Sequence, residues 1–257
     1  MKDKSLYLFC VTEGMYEKKF DWHGIEGKEV FPLVFEGFTV IAQACEPQPF
    51  TSLDNEVLKE WLLAHERVVE EAWQHFGTII PFRFNTIIVP TPGKSAWQNC
   101  GEWIHNENGH LINTLNRLKN KAEYGVQILW NRETILDRIV RTDEEIKALR
   151  KDIQGKPEGV AYLLEKKIEC LLKQRLEKKA DTYFKIFYHD INRKVVATHI
   201  EKVRKEELPR QMILNISCLE AKDRIKELGD TLEKITNVQG FEVRFTGPWP
   251  PYSFVNS

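Results

Sequence analysis

The chain lacks most of the features that assign a sequence at sight. No run approaches the roughly 18 consecutive apolar residues of a membrane span. The charged opening MKDKSLYLFCV has too short an apolar stretch for a secretory signal. The five cysteines, Cys10, Cys45, Cys100, Cys170 and Cys218, are odd in number, scattered, and never spaced as CxxC. Four of them have apolar neighbours, in LFCV, QACE, IECL and ISCL, which is how small buried hydrophobes look. Together these absences predict a reduced, soluble, cytoplasmic protein. The formal net charge is only −1, so no strong field invites nucleic acid. No G-x-S-x-G, H-E-x-x-H or complete phosphate loop occurs, and no repeat at a fixed period is visible. The expectation is a protein that is not an enzyme, with no cofactor, no metal, no small-molecule substrate, no nucleic-acid partner and no membrane association.

What is present is an ordinary globular mixture, 42% hydrophobic and 29% charged in 257 residues, enough for one large or two modest cores. The charge is unevenly spread, with a balance of −5 over residues 1–131 and +4 over residues 132–257. That change predicts two domains, 1–131 and 132–257, the second closed by the terminal segment TGPWPPYSFV.

In the first half, SLYLFCV (5–11) reads as a strand. The run VFPLVFEGFTVIAQACE (30–46) holds a second around Phe38, Val40 and Ile41, with Pro32 arguing against a continuous strand from Val30. Asp54 opens a helix whose stripe is Val57, Trp61, Val68, Ala72 and Phe76, stopped by Gly77. TIIPFRFNTIIV (78–89) is strand-like with a bend at Pro81. Residues 94–121 read as helix with a break at Asn108-Gly109, and EYGVQILW (123–130) is a strand. The order β, β, α, β, α, β is close to a ferredoxin-like split β-α-β arrangement with one long opening connection.

In the second half, Ile135, Ile139, Ile146, Leu149 and Ile153 form a heptad-like seam. Gly155-Lys-Pro157 turns the chain into a second helix carrying Val160, Leu164, Ile168, Leu172, Leu176 and Ala180, so an antiparallel helical pair is expected. Residues 182–205 read equally as continuous helix or as including a short strand. A terminal β-α-β unit follows: QMILNISCL (211–219), a helix from Ala221 to Ile235, and GFEVRFTG (240–247). The fold class expected is α+β.

Three constellations could carry chemistry. Gly93-Lys94-Ser95 has the place and ending of a phosphate loop, but Ile88 stands where the first glycine is required and Pro90 and Pro92 remove N–H donors. Its plain reading is a turn with Ser95 as helix N-cap. Cys100, His105 and His110 are spaced i, i+5, i+10, which does not place them on one helical face. His65 lies on the apolar stripe, four residues after Trp61 and three before Val68, where a satisfied, partly buried imidazole is the default.

The tail is the most distinctive stretch. TGPWPPYSFV (246–255) is stiff and apolar, unlike a tail held by solvent. Two readings stand: a clasp that closes a core, favoured here, and a proline-rich recognition segment for an aromatic groove.

This closing run resembles the C-terminal signature of the gas vesicle GvpL/GvpF family. IIPFRFNTI (79–87) is similar to that family's LPLRFGT segment, with Asn85 where a glycine is usual; Asn tolerates positive φ better than most residues. The resemblance implies an α+β fold with a modified ferredoxin-like domain followed by a helix-rich domain. It also implies a role in gas vesicle organization and buoyancy, as an assembly factor or minor structural component that binds the shell protein GvpA and other accessory Gvp proteins. The alternatives are a helical-hairpin scaffold contacting accessory proteins alone, or a nucleotide-binding enzyme using the Gly93-Lys94-Ser95 turn. Candidate residues for binding a partner or closing the fold are Pro81, Phe82, Arg83, Phe84, Gly247, Pro248, Trp249, Pro250, Pro251, Tyr252 and Phe254.

Overall fold

The strand SLYLFCVTE is apolar at nearly every position, as a strand covered on both faces must be. The computed structural model, which describes residues 4–206 and 208–255, places it accordingly. This strand, β1 (Ser5–Glu13), is buried from Ser5 to Thr12. It lies between β3 (Phe38–Cys45) on one side and β4 (Ile80–Pro81) with β5 (Ile87–Ile88) on the other. β2 (Val30–Phe35) pairs with the far side of β3, so the sheet runs β2-β3-β1-β4, and all these pairings are antiparallel. On one face, Tyr7 and Phe9 meet His65 of helix α1 (Asn55–Phe76). Helix α2 (Ala96–Leu118) covers residues including Phe35, whose ring comes within 3.0 Å of where a Cβ on Gly101 would stand.

These elements and the tail form one of two compact units, Met1–Glu123 with Pro248–Ser257; the other is Tyr124–Gly247. The division falls inside β6 (Lys121–Asn131) rather than at residue 131, and the tail belongs to the first unit rather than closing the second. The physical reason is that the tail's partners, Arg117 and Glu123, lie in the first unit.

Two local expectations are corrected. β2 is continuous through Pro32, because β2 is an edge strand and an edge tolerates a missing donor. It forms a tight hairpin with β3: Phe35 faces Phe38, and Glu36 and Gly37 both adopt positive φ, 44° and 87°, as a two-residue turn of this twist requires. α2 runs unbroken through Asn108-Gly109, since Leu111, Leu115 and Leu118 keep burying its face beyond the glycine. A mid-helix glycine costs only about 1 kcal/mol.

The second unit repeats the strand order. Its sheet is β7-β8-β6-β9, with β7 (Ala197–Ile200), β8 (Arg210–Ala221) and β9 (Phe241–Trp249). In both sheets the second strand in chain order lies outermost, beside the third, then the first, then the fourth. Between β6 and β7 come α3 (Arg132–Thr142), α4 (Glu144–Ile153) and the 35-residue α5 (Glu158–Asn192). The seam expected as one helix is broken at Asp143. That residue ends α3 with extended backbone, caps α4 by accepting from Ile146 N–H, and takes the Arg175 guanidinium at 2.7 Å. α5 nonetheless packs against α3 and α4. Residues 182–205 contain both structures weighed for them, the end of α5 and then β7. Trp130, Tyr183, Phe187 and Phe241 form the aromatic centre of this unit, with Tyr183 and Phe241 rings 4.8 Å apart.

Candidate functional site

The turn after β4 is held by a chain of hydrogen bonds that begins in β1. Pro81 is buried opposite Cys10, and Phe82 N–H donates to Phe9 carbonyl at 2.8 Å. His65, 2% exposed, has Nε2 at 3.1 Å from Phe82 carbonyl and Nδ1 at 2.8 Å from Tyr7 hydroxyl. A carbonyl only accepts, so Nε2 carries the proton and Nδ1 accepts from Tyr7. Tyr7 oxygen in turn accepts from Asn85 N–H at 3.2 Å. Burial pushes the His65 imidazole down to about 4, against the Phe82 bond, which raises it. His65 is therefore a neutral structural tie rather than a poised base. Phe84 packs edge-on to it at 5.9 Å, Phe82 faces Trp103 at 5.6 Å, and Arg83 points to solvent.

Asn85 occupies positive φ, 68°, so the backbone need of the turn is met. Its side chain adds something a glycine lacks. Oδ1 accepts from Phe50 N–H at 2.8 Å and Nδ2 donates to Phe50 carbonyl at 3.1 Å, tying the turn to the chain entering α1.

The tail returns to the same unit. Ser253 donates both N–H and hydroxyl to the Glu123 carboxylate, at 2.8 and 2.7 Å, and Arg117 donates to Phe254 carbonyl at 2.6 Å. Pro250, Pro251 and Phe254 are buried, Phe254 to 1% exposure. The Tyr252 hydroxyl is buried with no partner among the described residues. Burial pushes its pKa up, and the nearby acids Glu66 and Glu123, with Cys10 and Tyr7, add to that. Gly247 and Pro248 are exposed, and Trp249 presents 48% of its surface to solvent. From Pro248 onward the tail thus lies in the same unit as the Pro81–Asn85 turn, with Arg83, Pro248 and Trp249 turned outward and most of the remainder turned in.

The other constellations come apart. Ser95 caps α2 in a reciprocal box with Gln98, and Lys94 pairs with Glu102. Cys100 is buried in α2 while His105 is exposed and bonded to Glu36 at 2.9 Å. Among the described residues no group of three or more His, Cys, Asp or Glu is placed to hold a metal. Cys170, expected to be buried from its apolar neighbours, is exposed, and Cys100 is buried. Cys100 shares the inner stripe of α2 with Ala96 and Ile104, whereas Cys170 falls on the solvent face of α5.

Sequence reading missed an apolar groove of about 800 Å³ beside the edge strand β2. Phe31 and Leu33 of β2, Ala44 of β3 and Leu6 of β1 share one face by register, and Trp97 at the start of α2 is 53% exposed beside them. The alternation of Phe31 and Leu33 was the available signal, obscured by Pro32 between them. Lys4, Lys28 and the Lys19–Glu29 pair stand at its rim.

A family model described as "Gas vesicle synthesis protein GvpL/GvpF" matches residues 5–256. Gas vesicle protein L1 of Halobacterium salinarum is 27% identical, over 96% of this chain and 89% of its own length. Gas vesicle protein L of Haloferax mediterranei is 25% identical, over 91% and 73%. The crystal structure of the gas vesicle protein GvpF from Anabaena sp. PCC7120 superposes with a TM-score of 0.78 over 98% of both chains at 18% identity, which shows the shared fold.

Proposed function

Because the chain belongs to the GvpL/GvpF family of gas vesicle synthesis proteins, we propose that it is an assembly factor or minor structural component that binds the hydrophobic shell protein GvpA and other accessory Gvp proteins. A shell that repels water needs subunits with large apolar surfaces, and such surfaces aggregate before assembly. A helper that covers them and releases them at a growing edge meets that need without bond chemistry.

The observation that carries this reading is the groove lined by Leu6, Phe31, Leu33, Ala44 and Trp97. Pro32 removes a donor from the middle of β2, so an extended partner gains little backbone pairing there. The side-chain surface suits the apolar face of an amphipathic helix. The contacts made by Pro81, Pro250, Pro251, Tyr252 and Phe254 support a fold-closing role for them, and the exposure of Trp249 supports a partner-contact role for that ring alone.

Light scattering of purified GvpA on dilution from denaturant tests the shielding. Stoichiometric full-length protein suppresses the aggregation, and a Leu33→Asp variant that still folds does not. Equal suppression by both proteins, or by neither, removes the groove from the account.

The hairpin-scaffold reading has its own support: Tyr162 and Leu163, near the start of α5, are 56% and 67% exposed. Leu163→Lys in the full chain separates the two. Accessory Gvp proteins bound by the parent and lost in this variant, with GvpA retained by neither protein, favour the scaffold.

A further inference from the structure

β7 is an outer strand whose pairing leaves one side open. It lies beside β8, in antiparallel register from Ala197 opposite Leu219 to Ile200 opposite Ile216. Glu201 N–H donates to Asn215 carbonyl at 2.9 Å. Backbone bonding in an antiparallel pair alternates residue by residue. His199 therefore also faces β8, and the N–H and carbonyl groups of Thr198 and Ile200 face away from the sheet; at the start of the strand it is Val196 N–H that donates to Leu219 carbonyl, at 3.0 Å.

Edge strands are normally blunted by a proline, a lysine or a cover. In the first unit, Pro32 does this for β2, which has the same place in its strand order. The run Val196-Ala-Thr-His-Ile200 contains neither proline nor lysine and is rich in β-branched residues. Val196 and Ile200 are 51% and 54% exposed. Thr198, between them, is tied down. Its hydroxyl donates to Asn192 Oδ1 at 2.8 Å, so the contact to Tyr188 oxygen at 3.1 Å is donated by Tyr188, and Tyr188 stacks on Phe184. The strand is thus fixed in register with an apolar aromatic floor beside it.

Charge selects the occupant. Arg193 and Lys194 precede the strand, and the exposed Lys202, Arg204 and Lys205 follow it. A second copy pairing antiparallel about Thr198 would set Lys194 against Lys202, and like charges opposed across strands are destabilising. We propose that the free edge of β7 is a docking site for an extended, β-branched segment flanked by acidic residues on a protein partner, which adds as a fifth strand to the sheet. This site is in Tyr124–Gly247, whereas the groove is in the other unit, so each stands or falls without the other.

The probe is a synthetic peptide of alternating valine and threonine with two aspartates at each end, titrated into the full-length protein by fluorescence anisotropy. Saturable binding is expected, weakened at least about tenfold when the aspartates are replaced by lysines. Amide exchange slows at Thr198 and Ile200 and stays unchanged at His199 and Glu201, which already bond to β8. Ile200→Pro removes an outward N–H and abolishes the binding; if that variant does not fold, Ile200→Lys replaces it. Absence of saturable binding, protection elsewhere in the chain, or equal affinity for the lysine-flanked peptide overturns the proposal. A concentration-dependent dimer that Ile200→Pro dissolves overturns it in favour of a second copy.

Discussion

The two units carry the same strand order but finish it in different ways. In the first, the crossover between β1 and β2 is a loop with one short 3-10 turn, Ile25–Gly27, and the chain's far end is brought back to seal the core. In the second, the crossover is three helices, α3 to α5, and the outermost strand carries no proline. The first unit uses Pro32 to protect its edge and leaves an apolar groove on one face; the second leaves an edge open. An antiparallel sheet of this order has a fixed number of unsatisfied boundaries. Which boundary is covered is decided by connections and single residues rather than by the strands.

If the tail is what closes the first unit, removing its buried anchor is the largest perturbation available. Phe254→Ala is expected to cost about 3–5 kcal/mol in urea unfolding, with early loss of amide protection in β1 and unchanged protection in β8. Uniform loss across both sheets would show that the units do not differ in their dependence on the tail.

The His65 tie sharpens the comparison through pH. Its folded value of about 4 lies below the ordinary 6.5, so the unfolded chain binds the proton more readily. The stabilisation is complete above pH 6.5 and declines as pH falls toward 4. Between pH 6.5 and 5 the loss is about 2 kcal/mol. A His65→Gln variant, compared over the same range by chemical denaturation, lacks this slope; a slope that persists assigns it to other groups.

Asn85→Gly restores a residue free to adopt positive φ while deleting both bonds to Phe50. A loss of about 1 kcal/mol is expected. A neutral or stabilising result would mean that backbone strain outweighs the two bonds. Lys94→Ala removes a surface ion pair and is expected to shift Tm by no more than about 1 °C. Robust ATP–Mg²⁺ binding by calorimetry, lost in this variant, would revive the nucleotide reading.

Sequence was informative where structure is decided locally. The helix stripe from Val57 to Phe76, the Ser95 cap and the central apolar strand at SLYLFCV depend on period and capping chemistry that neighbours carry. It failed where a distant partner decides. Asp143 breaks a helical seam because Arg175, on another helix, meets its carboxylate. Pro32 is accepted because β2 is outermost, a property of the sheet and not of the strand. Of the candidate site, the tail and the PFRF run were legible as distinctive, but Glu123, the carboxylate that pins the tail, carries no local mark. Cys170 was misjudged as buried because flanking residues do not reveal which side of a helix a position faces.

The central claim is that apolar shell subunits are held in the groove at Leu33 and Trp97. Retention of purified GvpA by the immobilised full-length protein, compared with Leu33→Asp and Trp97→Ala variants of unchanged Tm, tests it most directly. The account predicts retention by the parent and its loss in both variants. No retention by the parent, or undiminished retention by both variants, would contradict it.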